Sequence, residues 1–139
     1  MKDHTEAFIQ YLNGVKFNVS VRGHSVICDQ PVENKGTDAG MTPPEFMLAS
    51  LATCAGYYAL EYLRTRSLPT EGLTVRVTAE KLKLPARLGD FRIEVNTTAL
   101  DPRHEDGVLR AVKSCLIHNT LLNPPKVEVL VNAAAPVAA

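Results

Sequence analysis

An α+β fold, mostly antiparallel strands curled around one very apolar helix, is what the sequence predicts, and three observations predict it. Short segments at both ends of the chain alternate apolar and polar residues with period two. One long helix-like segment, Phe46–Leu60, carries no charge at all. Gly, Pro, Asn and Asp gather between these segments, where the chain must turn. The expected element order is β-β-β-α-β-β-α-β, a single domain over residues 1–139 with no repeat and no linker.

A-F-I-Q-Y-L-N before Gly14 and V-K-F-N-V-S-V after it read as a hairpin, with Asn13-Gly14 suited to a type I′ turn. Val15, Phe17, Val19 and Val21 alternate with Lys16, Asn18 and Ser20. Arg22-Gly23-His24 turns again, and Ser25–Asp29 completes a three-stranded meander. Residues 30–41, rich in Gly, Pro, Asn and Asp, read as a mobile loop. A helix follows, from Thr42 as N-cap to about Arg66. Pro43 and Pro44 suit its first turn, and Glu45 completes a T-x-x-E capping box. It is apolar on nearly every face, the mark of a helix buried all round. Leu73–Leu84 and Phe91–Thr98 alternate as strands around a turn at Pro85–Asp90. Asp101-Pro102 opens a second helix with Val108, Leu109, Val112 and Cys115 on its apolar stripe. A short helical turn, Leu116–Leu122, stops at Asn123-Pro124-Pro125, and Lys126–Val131 reads as a final strand. A helix buried on every face needs more cover than 139 residues readily supply, so a homodimer is expected.

Apolar residues make up 45% and charged residues 22% of the chain, and 15 acidic side chains balance 15 basic ones. That composition belongs to a globular protein, and the absence of a basic block argues against nucleic acid as partner. No stretch reaches the roughly 18–20 apolar residues that a membrane span needs. M-K-D-H-T-E-A lacks a signal peptide's apolar stretch, so the expected location is cytoplasmic, with no membrane partner.

Three cysteines, Cys28, Cys54 and Cys115, include no C-x-x-C pair, and an odd count without a signal peptide does not suggest a disulfide framework. Small buried cysteines usually just pack, and Cys28 reads so. Cys54 lies about twelve residues into its helix, beyond the turn where the dipole could favour a thiolate. Cys115 stands just before a helix start, with His118 three residues on as a base or cationic partner. C-x-x-H supplies only half a zinc site, so neither metal nor cofactor is expected.

Two segments carry a resemblance. T-P-P-E-F-M-L-A-S-L-A-T-C at 42–54 resembles the t/s-P-x-E-L-L-L-A-A-L-x-x-C helix of the OsmC/Ohr superfamily, and S-C-L-I-H-N-T-L-L-N-P-P-K-V-E-V at 114–129 is similar to its second-cysteine segment. The resemblance implies an intertwined homodimer with sites at the subunit interface. It also implies reduction of peroxides by thiols: Cys54 attacks the peroxide and becomes a sulfenic acid, Cys115 condenses with it to a disulfide, and a dithiol restores both. That reductant would be a small molecule or a lipoyl- or thioredoxin-type protein. A dry pocket from Phe46, Leu51, Tyr57 or Tyr58 would favour an organic hydroperoxide.

The chain departs from the well-characterised peroxidases of that superfamily, which carry a glutamate ten residues before the first cysteine, holding an activating arginine. Pro44 stands there, and Glu45 is one place later. Along a straight helix Glu45 lies about 13.5 Å from Cys54 and about half a turn out of phase. Arg22 is the only arginine before the helix and, with Glu45 and His118, completes the set of auxiliary residues. These features fit a less-studied branch of the superfamily. Two other readings stand beside the peroxidase: a non-enzymatic module binding a hydrophobic ligand or partner, and a hydrolase or transferase using Cys115 and His118.

Overall fold

The computed structural model describes residues 5–134. Strands β1 (Phe8–Asn13), β2 (Lys16–Val21) and β3 (His24–Cys28) form an antiparallel sheet in the order β1-β2-β3. The first turn falls one residue later than the Asn-Gly signal suggested. Asn13 pairs with Lys16 across Gly14 and Val15, and a register shift between Tyr11 and Asn13 absorbs the slip. The turn with two left-handed residues comes one hairpin on. Val21 pairs with His24 around Arg22 and Gly23, whose φ angles are 52° and 83°.

Helix α1 (Pro43–Thr65) begins as the sequence predicts. The Glu45 amide donates to Thr42 Oγ1 at 3.4 Å, while the Thr42 amide donates to Glu45 Oε1 at 2.9 Å. Strands β4 (Thr74–Leu82) and β5 (Arg87–Asn96) make a two-stranded antiparallel sheet packed on α1. A 3₁₀ turn, Pro102–His104, leads into α2 (Glu105–Lys113), and α3 (Leu116–Leu122) follows after Ser114 and Cys115. The core lies where α1, α2 and the β4–β5 sheet meet. Ala55, Ala59 and Leu63 of α1 pack there with Val108 and Val112 of α2, over Val75, Ile93 and Val95 of the strands. Each of the fully buried Leu51 and Leu63 contributes about 2 kcal/mol by leaving water.

Three expectations are corrected. Helix α1 is not buried on every face within its own chain: its fully buried residues are the stripe Leu51, Ala55, Ala59 and Leu63, and Tyr57 is 57% exposed. One sheet and two helices cover only one side of a helix. Residues 126–131 do not form a strand. Backbone ladders need a neighbouring edge, none is paired with this segment, and Val127, Val129, Leu130 and Val131 stand open to solvent. The loop 30–41 is not a loose connection. Asp29, 1% exposed, accepts hydrogen bonds from the amides of Gln30, Thr37 and Ala39 and from the Thr37 hydroxyl, at 2.7 to 3.1 Å. Within that loop Val32–Asn34 forms a 3₁₀ turn, and a side chain at Gly36 would collide with the Gln30 carbonyl. Smaller shifts concern β5, which starts at Arg87 rather than Phe91, so that the preceding turn is shorter than predicted.

The meander is the least covered part. Both faces of β1 meet solvent, with Phe8 62%, Ile9 54% and Tyr11 59% exposed. No extensive contact joins this sheet to the helices or to β4–β5.

Candidate thiol site

Cys54 sits midway along α1, on the edge of its buried stripe, and is half-buried. Leu51, Tyr57 and Tyr58 lie one helical turn away from it; Phe46, two turns back, does not share that position. Cys115 is the residue before α3 and is fully buried, at 0% exposure. Its backbone is fixed at both ends. The Cys115 amide donates to the Val112 carbonyl at 3.1 Å, and the Cys115 carbonyl accepts from the Asn119 amide at 3.0 Å.

Although 61 residues apart in sequence, the two thiols lie close enough for each to affect the other. Burial pushes the Cys115 thiol above its ordinary value, and the neighbouring Cys54 side chain pushes it the same way. The backbone amides of His118 and Ile117 pull in the opposite direction without prevailing. All three cysteines are free thiols. Cys28, at the end of β3, is also pushed up, by burial and then by the neighbouring Asp29 carboxylate; it is buried and lies outside this pair.

The other predicted residues stand as follows. His118 gives Cys115 its backbone N–H, and it borders a groove of about 700 Å³ between β5 and α2. Phe91, Ile93, Val95, Val108 and Val112 line that groove, and Glu105 and Lys113 add charge; neither Cys54 nor Cys115 lines it. Glu45 is held by Thr42, whose amide and hydroxyl keep its carboxyl below the ordinary value, with the Lys81 charge adding to the effect. That commitment suits a cap and places no carboxylate beside Cys54. Arg22 lies in the β2–β3 turn, with Thr5, Glu6 and Phe8 along a shallow groove, and forms no ion pair among the described residues.

Sequence reasoning did not find the amides of Ile117 and His118 or the role of Asp29. A lone Asp at the end of an apolar strand, followed by a Gly- and Thr-containing loop, was the available signal for the latter. Also unforeseen is a cluster at the far end of α1. The Tyr62 hydroxyl lies 3.0 Å from His104 Nδ1, and the Arg66 guanidinium stacks 3.8 Å above the Tyr62 ring. Among the described residues no group of His, Cys, Asp and Glu side chains comes together that could hold a metal ion, and no helix is long and apolar enough to cross a membrane.

Residues 36–130 match the OsmC-like protein family. The chain belongs to that family. The match spans α1, both site cysteines and everything between them. No curated protein matches the chain. Among solved structures, a protein of Psychrobacter arcticus 273-4 superposes with a TM-score of 0.76 at 20% identity, over 86% of this chain and 90% of that one. The OsmC like protein of Mycoplasma pneumoniae gives 0.73 at 18% identity, over 89% and 91%. The organic hydroperoxide resistance protein OsmC of Legionella pneumophila gives 0.67 at 16% identity, over 86% and 89%. At these identities the likeness concerns the fold, and it agrees with the α+β arrangement of antiparallel strands and three helices.

Proposed function

We propose that this OsmC-like protein reduces organic hydroperoxides with Cys54 as the attacking thiol and Cys115 as the resolving one. The observation that carries the reading is the nearness of two thiols brought together from distant parts of the chain. Their settings differ in the sense the roles need. Cys54 is the more open of the two, and the Cys115 proton is held back by burial and by the neighbouring Cys54. Cys54 as thiolate attacks the peroxide, an S–O bond forms as O–O breaks, and the alcohol leaves with a proton. Cys115, once deprotonated, attacks the sulfenic sulfur, S–S forms as S–O breaks, and water leaves. A dithiol then reduces the pair and becomes a disulfide itself.

Support for an organic peroxide comes from the apolar residues a turn from Cys54 and from the names of two structural relatives. These are the Legionella pneumophila protein and an organic hydroperoxide resistance protein of Elizabethkingia anophelis. A homodimer is part of the proposal. The open face of α1, the uncovered meander and the unpaired 126–131 segment are surfaces a second copy would cover.

The test is one equivalent of cumene hydroperoxide added to the reduced protein, followed by non-reducing peptide mapping. A Cys54–Cys115 link with two thiols lost is the expected product. Loss of one thiol to over-oxidation, with no link, would contradict the pair.

A second reading draws on the groove beside β5. Its lining mixes apolar side chains from β5 and α2 with Thr97, Thr98, Glu105, Lys113 and His118, and it contains no thiol. A lipid-like molecule co-purifying at one per chain would favour it. The hydrolase reading through Cys115 and His118 has less support, because that sulfur is fully buried and its proton firmly held.

A further inference from the structure

We infer that the groove between β5 and α2 binds a free medium-chain carboxylate, a fatty-acid anion, with the tail along its middle and the carboxylate at Lys113 and His118. The inference deepens the second reading above by naming the ligand class, and it is independent of the redox pair.

Where the polar groups stand singles out this ligand. Helix α2 turns one stripe to the groove: Glu105, Val108, Leu109, Val112 and Lys113, spaced as one helical face. Charge sits only at the two ends of that stripe, and the intervening Asp106 and Arg110 do not line the groove. Strand β5 repeats the pattern. Phe91, Ile93 and Val95 line the groove, whereas Arg92 and Glu94 alternate to the other side and pair with each other at 2.9 Å. Thr97 and Thr98, in the turn that joins β5 to α2, belong to the Glu105 end. His118, beyond the far end of α2, joins Lys113. The result is about 700 Å³ with an apolar middle, an acidic end and a basic end.

Each part restricts the occupant. Lys113 forms no ion pair among the described residues, so its ammonium is left for an anion from outside the chain. That ammonium is a donor only, and the His118 imidazole carries at least one N–H whichever tautomer it adopts. Two donors at one end suit a carboxylate. From Glu105 to Lys113 the helix rises about 12 Å, which is the length a tail can fill before it meets the Glu105 carboxylate. A second anionic group there would meet like charge, which disfavours a dicarboxylate of that length. Leu109 is 51% exposed although it lies on the apolar stripe, and a bound tail would cover it.

The walls of the groove pack on the buried stripe of α1, Ala55, Ala59 and Leu63. They do not belong to the open face of α1 that a second copy would cover, so the site does not rest on exposure there.

The test is calorimetric titration of the full-length reduced protein with octanoate, octanol and suberate, the last carrying a carboxylate at both ends. Octanoate should bind at one per chain and about five-fold tighter than octanol, the margin an exposed ion pair provides. Suberate should bind more weakly than octanoate. Lys113→Met should bring octanoate down to the level of octanol. Leu109→Glu, at an exposed position, should remove the binding of both. Equal binding of octanoate and octanol, or an unchanged preference in Lys113→Met, overturns the carboxylate assignment while the groove remains a ligand site. Binding that persists in Leu109→Glu puts the ligand elsewhere and overturns the inference. If none of the three probes binds, both the inference and the second reading fail. Sedimentation of the same samples checks the remaining occupant. Octanoate that binds only by dissociating a dimer would make the groove a contact between copies and overturn the inference.

Discussion

Oxidation should raise the stability of this protein, by an amount its topology sets. A Cys54–Cys115 disulfide closes a loop across 61 positions, tying the middle of α1 to the start of α3. Loop-closure entropy for that length corresponds to about 4 kcal/mol at 25 °C. Strain should subtract little, because the two side chains are already neighbours when reduced. For a domain of this size, that predicts a melting temperature higher by roughly 10 °C. The assay is thermal denaturation by circular dichroism at one protein concentration. Protein treated with one equivalent of cumene hydroperoxide is compared with the same sample reduced. Cys54→Ser and Cys115→Ser proteins serve as controls and should not shift upward. An unchanged or lowered melting temperature in wild type, with the link shown by mass, would refute the idea that the site is built to close without distortion.

Other outcomes follow from named groups. Because Cys115 holds its proton above the ordinary thiol range, the native state keeps a proton that the unfolded chain releases as pH rises past about 9. Stability should therefore fall above that pH, and the Cys115→Ala protein should show a shallower fall in its alkaline melting profile. The same held proton slows resolution at low pH, so dimedone should capture more Cys54 sulfenic acid at pH 6 than at pH 9. Asp29 behaves in the opposite sense. Its hydrogen bonds to Ala39, Thr37 and Gln30 hold the carboxyl well below the usual carboxylate range. The stability it gives is present at neutral pH and is lost only under acid conditions. Asp29→Asn should melt lower at pH 7, with its loop amides at Thr37 and Ala39 exchanging faster, and the gap to wild type should narrow as pH falls below 4. Thr42→Ala removes the α1 cap and should cost about 1 kcal/mol in urea denaturation; no change would mean that Glu45 and the prolines suffice.

Local chemistry made the start of α1 legible, since Thr42, Pro43, Pro44 and Glu45 act within one turn. Strands β2, β4 and β5 were legible from alternation alone. Residues 126–131 alternate as well as any of these, yet form no strand, because a ladder depends on a neighbour that no local pattern encodes. The buried faces of α1 were overcalled for a related reason: an apolar surface states what must be covered but not by which chain. Asp29 was missed because two of its donors come from residues eight and ten positions on, folded back by a loop whose composition suggests looseness. For the site, Cys28 alone read as packing, Cys54 alone could not be decided, and Cys115 had only a helix start and His118 to mark it. Their pairing came from resemblance, and its electrostatics from burial and from amides visible only in three dimensions.

The most direct test of the central claim is steady-state consumption of cumene hydroperoxide with a dithiol as reductant. Wild-type protein should turn over many equivalents. Cys54→Ser should fall to the uncatalysed rate, and Cys115→Ser should consume about one equivalent and stop. Wild-type turnover no faster than that of Cys54→Ser would contradict the account.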